Sequence, residues 1–251
     1  MNFKRFLLLL PLSFFPLVAA VAGIQELISK ADALDKTGKN QEALAVCLEA
    51  EKLAPNDGEV LRRVAKQYAE LVLDGKDQAA KRALAEKAVA YAKRAVAAGP
   101  RNALTHLSLA ICYGRAATVS DARTKIAYSK LIKEHADNAL ALDPNNDLTH
   151  FVLGSWCHEM ASLGGFLRAA ARVVYGAIPT ASYKDAARFL EKAVALNPKR
   201  VSNHAALGRS YAALGDRERA RQSLNMALSL PDGDKGDDTV KKQAREDLAK
   251  L

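Results

Sequence analysis

Small and apolar residues recur along this chain in paired helical segments, each pair split by glycine and closed by proline. The stretch from Asn203 to Pro231 gives the measure. Leu207, Gly208 and Tyr211 share one face of a first segment; Gly215 breaks it; Ala220, Leu224 and Ala227 share one face of a second, which stops at Pro231. Steps of three and four residues belong to amphipathic helices, and no stretch of the body alternates like a half-buried strand. Gly215 suits the left-handed turn between two helices. Gly208 and Ala220 are small enough for close backbone approach, with Leu207, Tyr211 and Leu224 filling the space around them. A single hairpin of this kind cannot bury its own apolar face, so neighbours must stack on it.

The same measure recurs from Gly23 onward. In the first repeat Ala31 stands as far ahead of Ala43 as Gly208 does of Ala220, and the second segment continues through Cys47 and Ala50 to Pro55. The second repeat carries Leu61, Val64, Ala65 and Tyr68, then Ala88, Ala92 and Ala95 before Gly99-Pro100. Ala65 and Ala88 are nearly twice as far apart as Gly208 and Ala220. The excess is about three whole helical turns, so longer helices keep their apolar faces aligned. The third repeat uses the same device with Leu109, Ala110 and Tyr113, then Ala136, Ala139 and Leu142; Ser120 or Asp121 is placed to cap its second helix. The fourth has Leu153, Gly154 and Cys157, then Ala186, Leu190 and Ala193, with a still longer insertion between Gly154 and Ala186 and Ser182 as a cap. A polar loop, Asp232 to Asp237, precedes a last helix with Val240, Ala244 and Leu248 on one face. The expectation is an all-α solenoid of about five hairpins over residues 23–251, with an extra helix in the fourth repeat and a C-terminal capping helix.

Composition agrees with that architecture. Hydrophobic residues make up 49% of the chain but aromatics only 6%. Alanine therefore carries much of the apolar content, which favours close helix packing. The net charge of +9 is spread along helices and interleaved with Asp and Glu, which reads as solvated faces, and no nucleic-acid partner is expected. Residues 1–22 have a Lys4-Arg5 start, an apolar middle and Ala20-Val21-Ala22 at the end, the pattern of a signal peptide cleaved after Ala22. Export, to the periplasm in a Gram-negative source, is the expectation. The alternative is a retained membrane anchor, against which Pro11 and Pro16 interrupt a run that barely reaches spanning length.

The hairpins resemble the tetratricopeptide repeat, a helix-turn-helix unit of about 34 residues. A more specific resemblance rests on IKEHADNALALDPNN (Ile132 to Asn146), LGSWCHEMA (Leu153 to Ala161), IPTASYKDAARFLEKAVALNP (Ile178 to Pro198) and AICYG (Ala110 to Gly114). These are similar to the regulator of microtubule dynamics family over roughly residues 103–231, including the insertion before the Pro-Thr-Ala-Ser-Tyr turn. The resemblance implies a non-enzymatic helical-repeat domain behind a targeting or membrane segment. It also implies association with microtubules and, in the family, roles in membrane contact and phospholipid carriage. The leader of this chain departs from that pattern in looking cleavable.

Candidate chemistry is sparse. His106, His150 and His204 each lie four residues before the small Ala110, Gly154 or Gly208. Partners one repeat apart are too distant to share a metal ion at about 2.1 Å per ligand, so a repeated packing position is the better reading. Cys47, Cys112 and Cys157 form no CxxC pair and fall on apolar helix positions, as small buried hydrophobes do. No nucleophile elbow, P-loop or HExxH occurs. Neither an enzyme nor a cofactor is expected. The sharpest candidate is the insertion from Phe166 to Ile178. Phe166, Val173, Val174 and Tyr175 offer apolar contacts, Arg168 and Arg172 lie four apart, and no acidic residue occurs between Glu159 and Asp185. Such a helix can cover the concave side of the array, or bind a partner carboxylate or lipid phosphate. The expected function is a scaffold for a protein or peptide on the concave face. The alternative is a module for anionic lipid or membrane contact; microtubules enter by resemblance alone.

Overall fold

The computed structural model describes residues 15–163 and 180–251, with side chains from Ala22 onward. Eleven helices and no strand occur among them: α1 (Phe15–Lys36), α2 (Asn40–Leu53), α3 (Gly58–Asp74), α4 (Gln78–Ala98), α5 (Ala103–Thr118), α6 (Ala122–Leu142), α7 (Asp147–Ser162), α8 (Tyr183–Leu196), α9 (Val201–Ala213), α10 (Arg217–Ser229) and α11 (Asp237–Ala249). Consecutive pairs form five antiparallel hairpins, and α11 packs on α9 and α10. This is a tetratricopeptide-like α-solenoid. The boundary expected at Gly23 falls inside α1, which starts at Phe15.

Local chemistry starts and stops the helices where the sequence indicates. Asp57, Asp77, Asn102, Asp121, Asn146 and Asp216 each accept a first-turn backbone N–H. Of the two caps considered for α6, the structure uses Asp121. Ser182 caps α8 in a reciprocal box with Asp185. Caps of this type contribute about 1 kcal/mol each. Gly215 turns the chain between α9 and α10 at φ +79°.

The excess in the second repeat is absorbed as whole turns. α3 has 17 residues against 13 in α9, and α4 has 21 against 14 in α8. At about 3.6 residues per turn, that is one added turn on the first helix and two on the second. The apolar stripes stay aligned.

Alanine runs through the seam between the two helices of each hairpin. Ala43, Ala88, Ala136, Ala186 and Ala220 have no exposed surface, nor do Ala92, Ala95, Ala139, Ala193 and Ala227. Two hairpins bring glycine to the crossing. A β-carbon on Gly154 would lie 2.5 Å from Leu190 Cγ, and one on Gly208 2.6 Å from Leu224 Cγ. Ala31, Ala65 and Ala110 hold the corresponding first-helix position elsewhere, with Cys47, Ala92 and Ala136 opposite. A large residue thus faces glycine, and a small one faces alanine.

Leu142 departs from the seam expected in α6. Ala136 and Ala139 are buried as the spacing predicts, but Leu142 is 43% exposed. The buried frame is one turn earlier. Ile132 packs with Trp156, Cys157 and Ala186, while Leu142 lies in the last turn, beyond the hairpin contact.

Candidate interaction surface

The first helices of the hairpins form a row: α3 packs on α5, α5 on α7 and α7 on α9. Beside the apolar packing of α3 on α5, ion pairs and hydrogen bonds cross from one first helix to the next. Arg63 grips the Asp32 carboxylate with Nε at 3.0 Å and Nη2 at 2.9 Å and also contacts Glu59. Asp35 accepts from Lys66 Nζ at 2.5 Å and from Gln67 Nε2 at 2.9 Å. Farther along, Arg115 meets Glu70 at 4.0 Å, and His158 Nδ1 lies 3.1 Å from Ser210 Oγ.

These links set protonation states. The hydrogen bond from Arg63 holds the Asp32 carboxyl below its ordinary value. Burial pushes Glu59 up, but Arg62 and Arg63 outweigh it and leave that carboxyl lowered. Burial works against the Arg63 charge, and Asp32 and Glu59 more than restore it. The row of first helices near the first hairpins therefore carries fixed, paired charges. Its sequence signal is the matched separation of Asp32 from Arg63 and of Asp35 from Lys66; without the fold, nothing marks that separation as a contact.

The three repeated histidines sit at one kind of place. Each is nearly buried, and each Nε2 faces the carbonyl of the proline six residues earlier. His106 reaches Pro100 at 3.0 Å, His150 reaches Pro144 at 2.9 Å, and His204 reaches Pro198 at 2.8 Å. A carbonyl only accepts, so Nε2 carries the hydrogen in all three rings. The residue before each histidine has no exposed surface. Thr105 Oγ1 lies 2.8 Å from the Gly99 carbonyl, and Asn203 Nδ2 donates to the Ala193 carbonyl at 3.1 Å. These side chains form a polar belt that secures the turns between repeats.

The belt varies in its outer partner. His106 Nδ1 lies 3.0 Å from His135 Nδ1. With Nε2 of His106 committed to Pro100, its Nδ1 must accept, so His135 Nδ1 donates. Phe189 stands opposite His150, with ring centroids 6.1 Å apart, and His150 Nδ1 has no hydrogen-bond partner among the described residues. Tyr113 stacks on His135 at 6.1 Å and meets Tyr128 at 5.1 Å.

Burial pushes the Cys47 thiol to about 11, Cys112 to about 12 and Cys157 to about 11. Thiols so protonated are poor nucleophiles and poor ligands. Among the described residues no group of three or more His, Cys, Asp or Glu is placed to hold a metal ion.

The repeat-packing residues lie where two helices of a hairpin meet. Leu224 and the Ala220 carbonyl lie against Gly208, and the Ala186 carbonyl lies beside Gly154; Leu207 and Tyr211 share a buried cluster with Ala220, and Ala227 packs with Val201 and Ala205. Tyr211 also donates to Glu191 Oε1 at 2.7 Å, and the Arg219 guanidinium covers its ring at 4.4 Å. Phe166, Arg168, Arg172, Val173, Val174 and Tyr175, the insertion expected to close or line the array, lie outside the described residues. Among the described residues no helix is long and apolar enough to cross a membrane.

Comparison with known proteins extends the resemblance beyond the C-terminal half. The family model described as regulator of microtubule dynamics protein 1-3 matches residues 27–251. Regulator of microtubule dynamics protein 1 of Mus musculus is 28% identical over 236 residues, covering 93% of this chain and 77% of the mouse protein. Regulator of microtubule dynamics protein 3 of Xenopus laevis is 28% identical over 208 residues, covering 82% of this chain and 45% of its own. A thermophilic TPR protein of Thermus thermophilus superposes with a TM-score of 0.65 at 19% identity, over 89% of this chain and 99% of its own; that likeness is one of fold.

Proposed function

Because this chain belongs to the regulator of microtubule dynamics family, we propose that it is a non-enzymatic scaffold that receives a protein or peptide partner along the row of first helices. The observation that carries this reading is the chemistry of that row. Beside the apolar packing of α3 on α5, it carries Arg63 with Asp32, Lys66 with Asp35 and Arg115 with Glu70, charges that suit a peptide with charged side chains better than an acyl chain. Thiols held protonated by burial add support for a binding role over a catalytic one. The relatives' names connect them with microtubule dynamics, so a partner of that kind is one arm of the test.

The experiment is capture with the tagged full chain, run beside mass spectrometry of co-purifying lipid and co-sedimentation with purified microtubules. The expected result is a retained protein partner that Lys66→Glu weakens. Stoichiometric phospholipid without a protein partner would overturn the reading. The lipid alternative rests on Phe166 to Ile178; if it held, Arg168→Ala with Arg172→Ala would lower binding to anionic vesicles, with a loss that shrinks in high salt.

Export is the accompanying proposal, supported by the residue pattern of the leader. N-terminal sequencing of the native protein should begin at Gly23; a start at Met1 would replace export with the anchored form.

A further inference from the structure

We infer that the loop from Asp232 to Asp237 is a clasp that joins the last repeat to the first two, by seating the Lys235 ammonium between the Asp74 carboxylate and the Asn40 amide. Lys235 Nζ lies 2.9 Å from Asp74 Oδ2, across 161 residues of sequence. With the Asn40 amide nitrogen donating to the Gly38 carbonyl at 3.0 Å, its oxygen faces Lys235 Nζ at 3.2 Å. Asn40 opens α2 in the first hairpin and is only 3% exposed. Asp74 is the last residue of α3, in the turn by which that helix exceeds α9. The added turn thus supplies one half of the contact.

The loop is built to aim this lysine. Asp237 is 3% exposed, and its Oδ2 accepts from the backbone N–H groups of Gly233 and Asp234, both at 2.9 Å. Gly236 makes the turn at φ +88°, a conformation that side-chain-bearing residues seldom adopt. Arg200 binds Asp234 at 2.5 Å and Asp147 at 2.8 Å, fixing the loop to the fourth and fifth hairpins. Lys241 binds Asp232 at 2.5 Å and donates to the Leu230 carbonyl at 2.6 Å. Lys235 therefore projects from a braced support, and its side chain is 29% exposed.

An ammonium held by one carboxylate and one amide at the surface is a latch of modest strength, and it is screened by salt. When formed it joins the last repeat to the first two; when broken it releases the first two hairpins from the loop before α11, and a partner entering at this edge must part the contact.

Zero-length carbodiimide coupling of the full chain, followed by peptide mass spectrometry, tests the contact. The expected product in the monomeric fraction is an amide between Lys235 and Asp74. It should be lost in Lys235→Gln and reduced in high salt, where the screening length is roughly threefold shorter. The Lys241–Asp232 amide serves as an internal control. If the control forms while the Lys235–Asp74 amide is missing, or forms only in dimers, the inference is overturned. Small-angle scattering tests the consequence. Lys235→Glu should enlarge the radius of gyration with helix content unchanged, and an unchanged radius would show that this contact does not hold the ends together.

Discussion

Gly208 and Leu224 occupy one shared space: a β-carbon on the glycine would fall 2.6 Å from the leucine Cγ and 3.2 Å from the Ala220 carbonyl oxygen. Gly208→Ala would improve helix propensity by about 1 kcal/mol. The leucine branch point and the backbone oxygen cannot both give way, so overpacking of about 1–3 kcal/mol dominates. Leu224→Ala alone should cost about 2–5 kcal/mol through the cavity it leaves. The double variant recreates the Ala110 and Ala136 pairing of the third repeat and should recover part of both losses. Urea unfolding in a double-mutant cycle measures the coupling; strictly additive losses would mean that the two residues do not share this space.

The histidine belt predicts a graded series. His204→Ala removes one bond to Pro198 and should cost about 1–3 kcal/mol. His106→Ala loses the bond to Pro100 and also strips His135 of its acceptor, so it should cost more. Thermal melts of the two variants side by side decide this, and equal losses would deny the His106–His135 bond a role.

Two histidines make stability depend on pH in a defined window. Burial holds His135 and His158 below the ordinary histidine value, with His106 and Lys93 adding to the effect at the first and Arg209 at the second. Glu134, Tyr113 and Tyr128 also face this region around His135, and Glu159 and Asp247 act on His158 in the opposite sense. Just below about pH 6.5 the unfolded chain binds more protons than the folded one. Stability is therefore complete above that value and declines as pH falls through it. A lower melting temperature under mildly acidic than under neutral conditions is expected, and His135→Gln with His158→Gln should flatten the step. The lowered Asp32 and Glu59 act separately: their contribution is present above the ordinary carboxylate range and is lost as pH drops below about 4.

The three thiols should be silent in the native state. With values of about 11 to 12, roughly one thiol in a thousand or fewer is ionised at pH 8. A disulfide reagent should titrate none of Cys47, Cys112 and Cys157 before denaturation and all three after it. Rapid native labelling of any one would contradict its burial.

The hairpins were legible because their signals are local. Gly215, the prolines and the steps of three and four residues act within one helical turn of the structure they specify. The added turns were legible too, since an excess of about three whole turns preserves helical phase. The place of Leu142 was not, because an alanine-rich stretch such as Ala136 to Leu142 offers two apolar frames one turn apart and only the facing helix chooses between them. The histidines were visible as a repeated position, yet their acceptor is a backbone carbonyl and leaves no trace in residue type. Lys235 and Asp74 are ordinary surface charges in sequence; their meeting depends on the curvature of the whole array.

The change from alanine facing alanine in the third hairpin to glycine facing leucine in the fourth also governs which helices can mate while the chain folds. Were α5 to close on α8, Ala110 would meet Leu190, and the alanine methyl would occupy the space that Gly154 leaves empty. Were α7 to close on α6, Gly154 would meet Ala136, and a void would open where a leucine belongs. Neighbouring hairpins in a repeat array resemble one another enough to exchange partners, a common route to misassembly. At the junction of the third and fourth hairpins each of these two exchanges either clashes or leaves a hole, so those neighbours carry different keys and sort themselves into order.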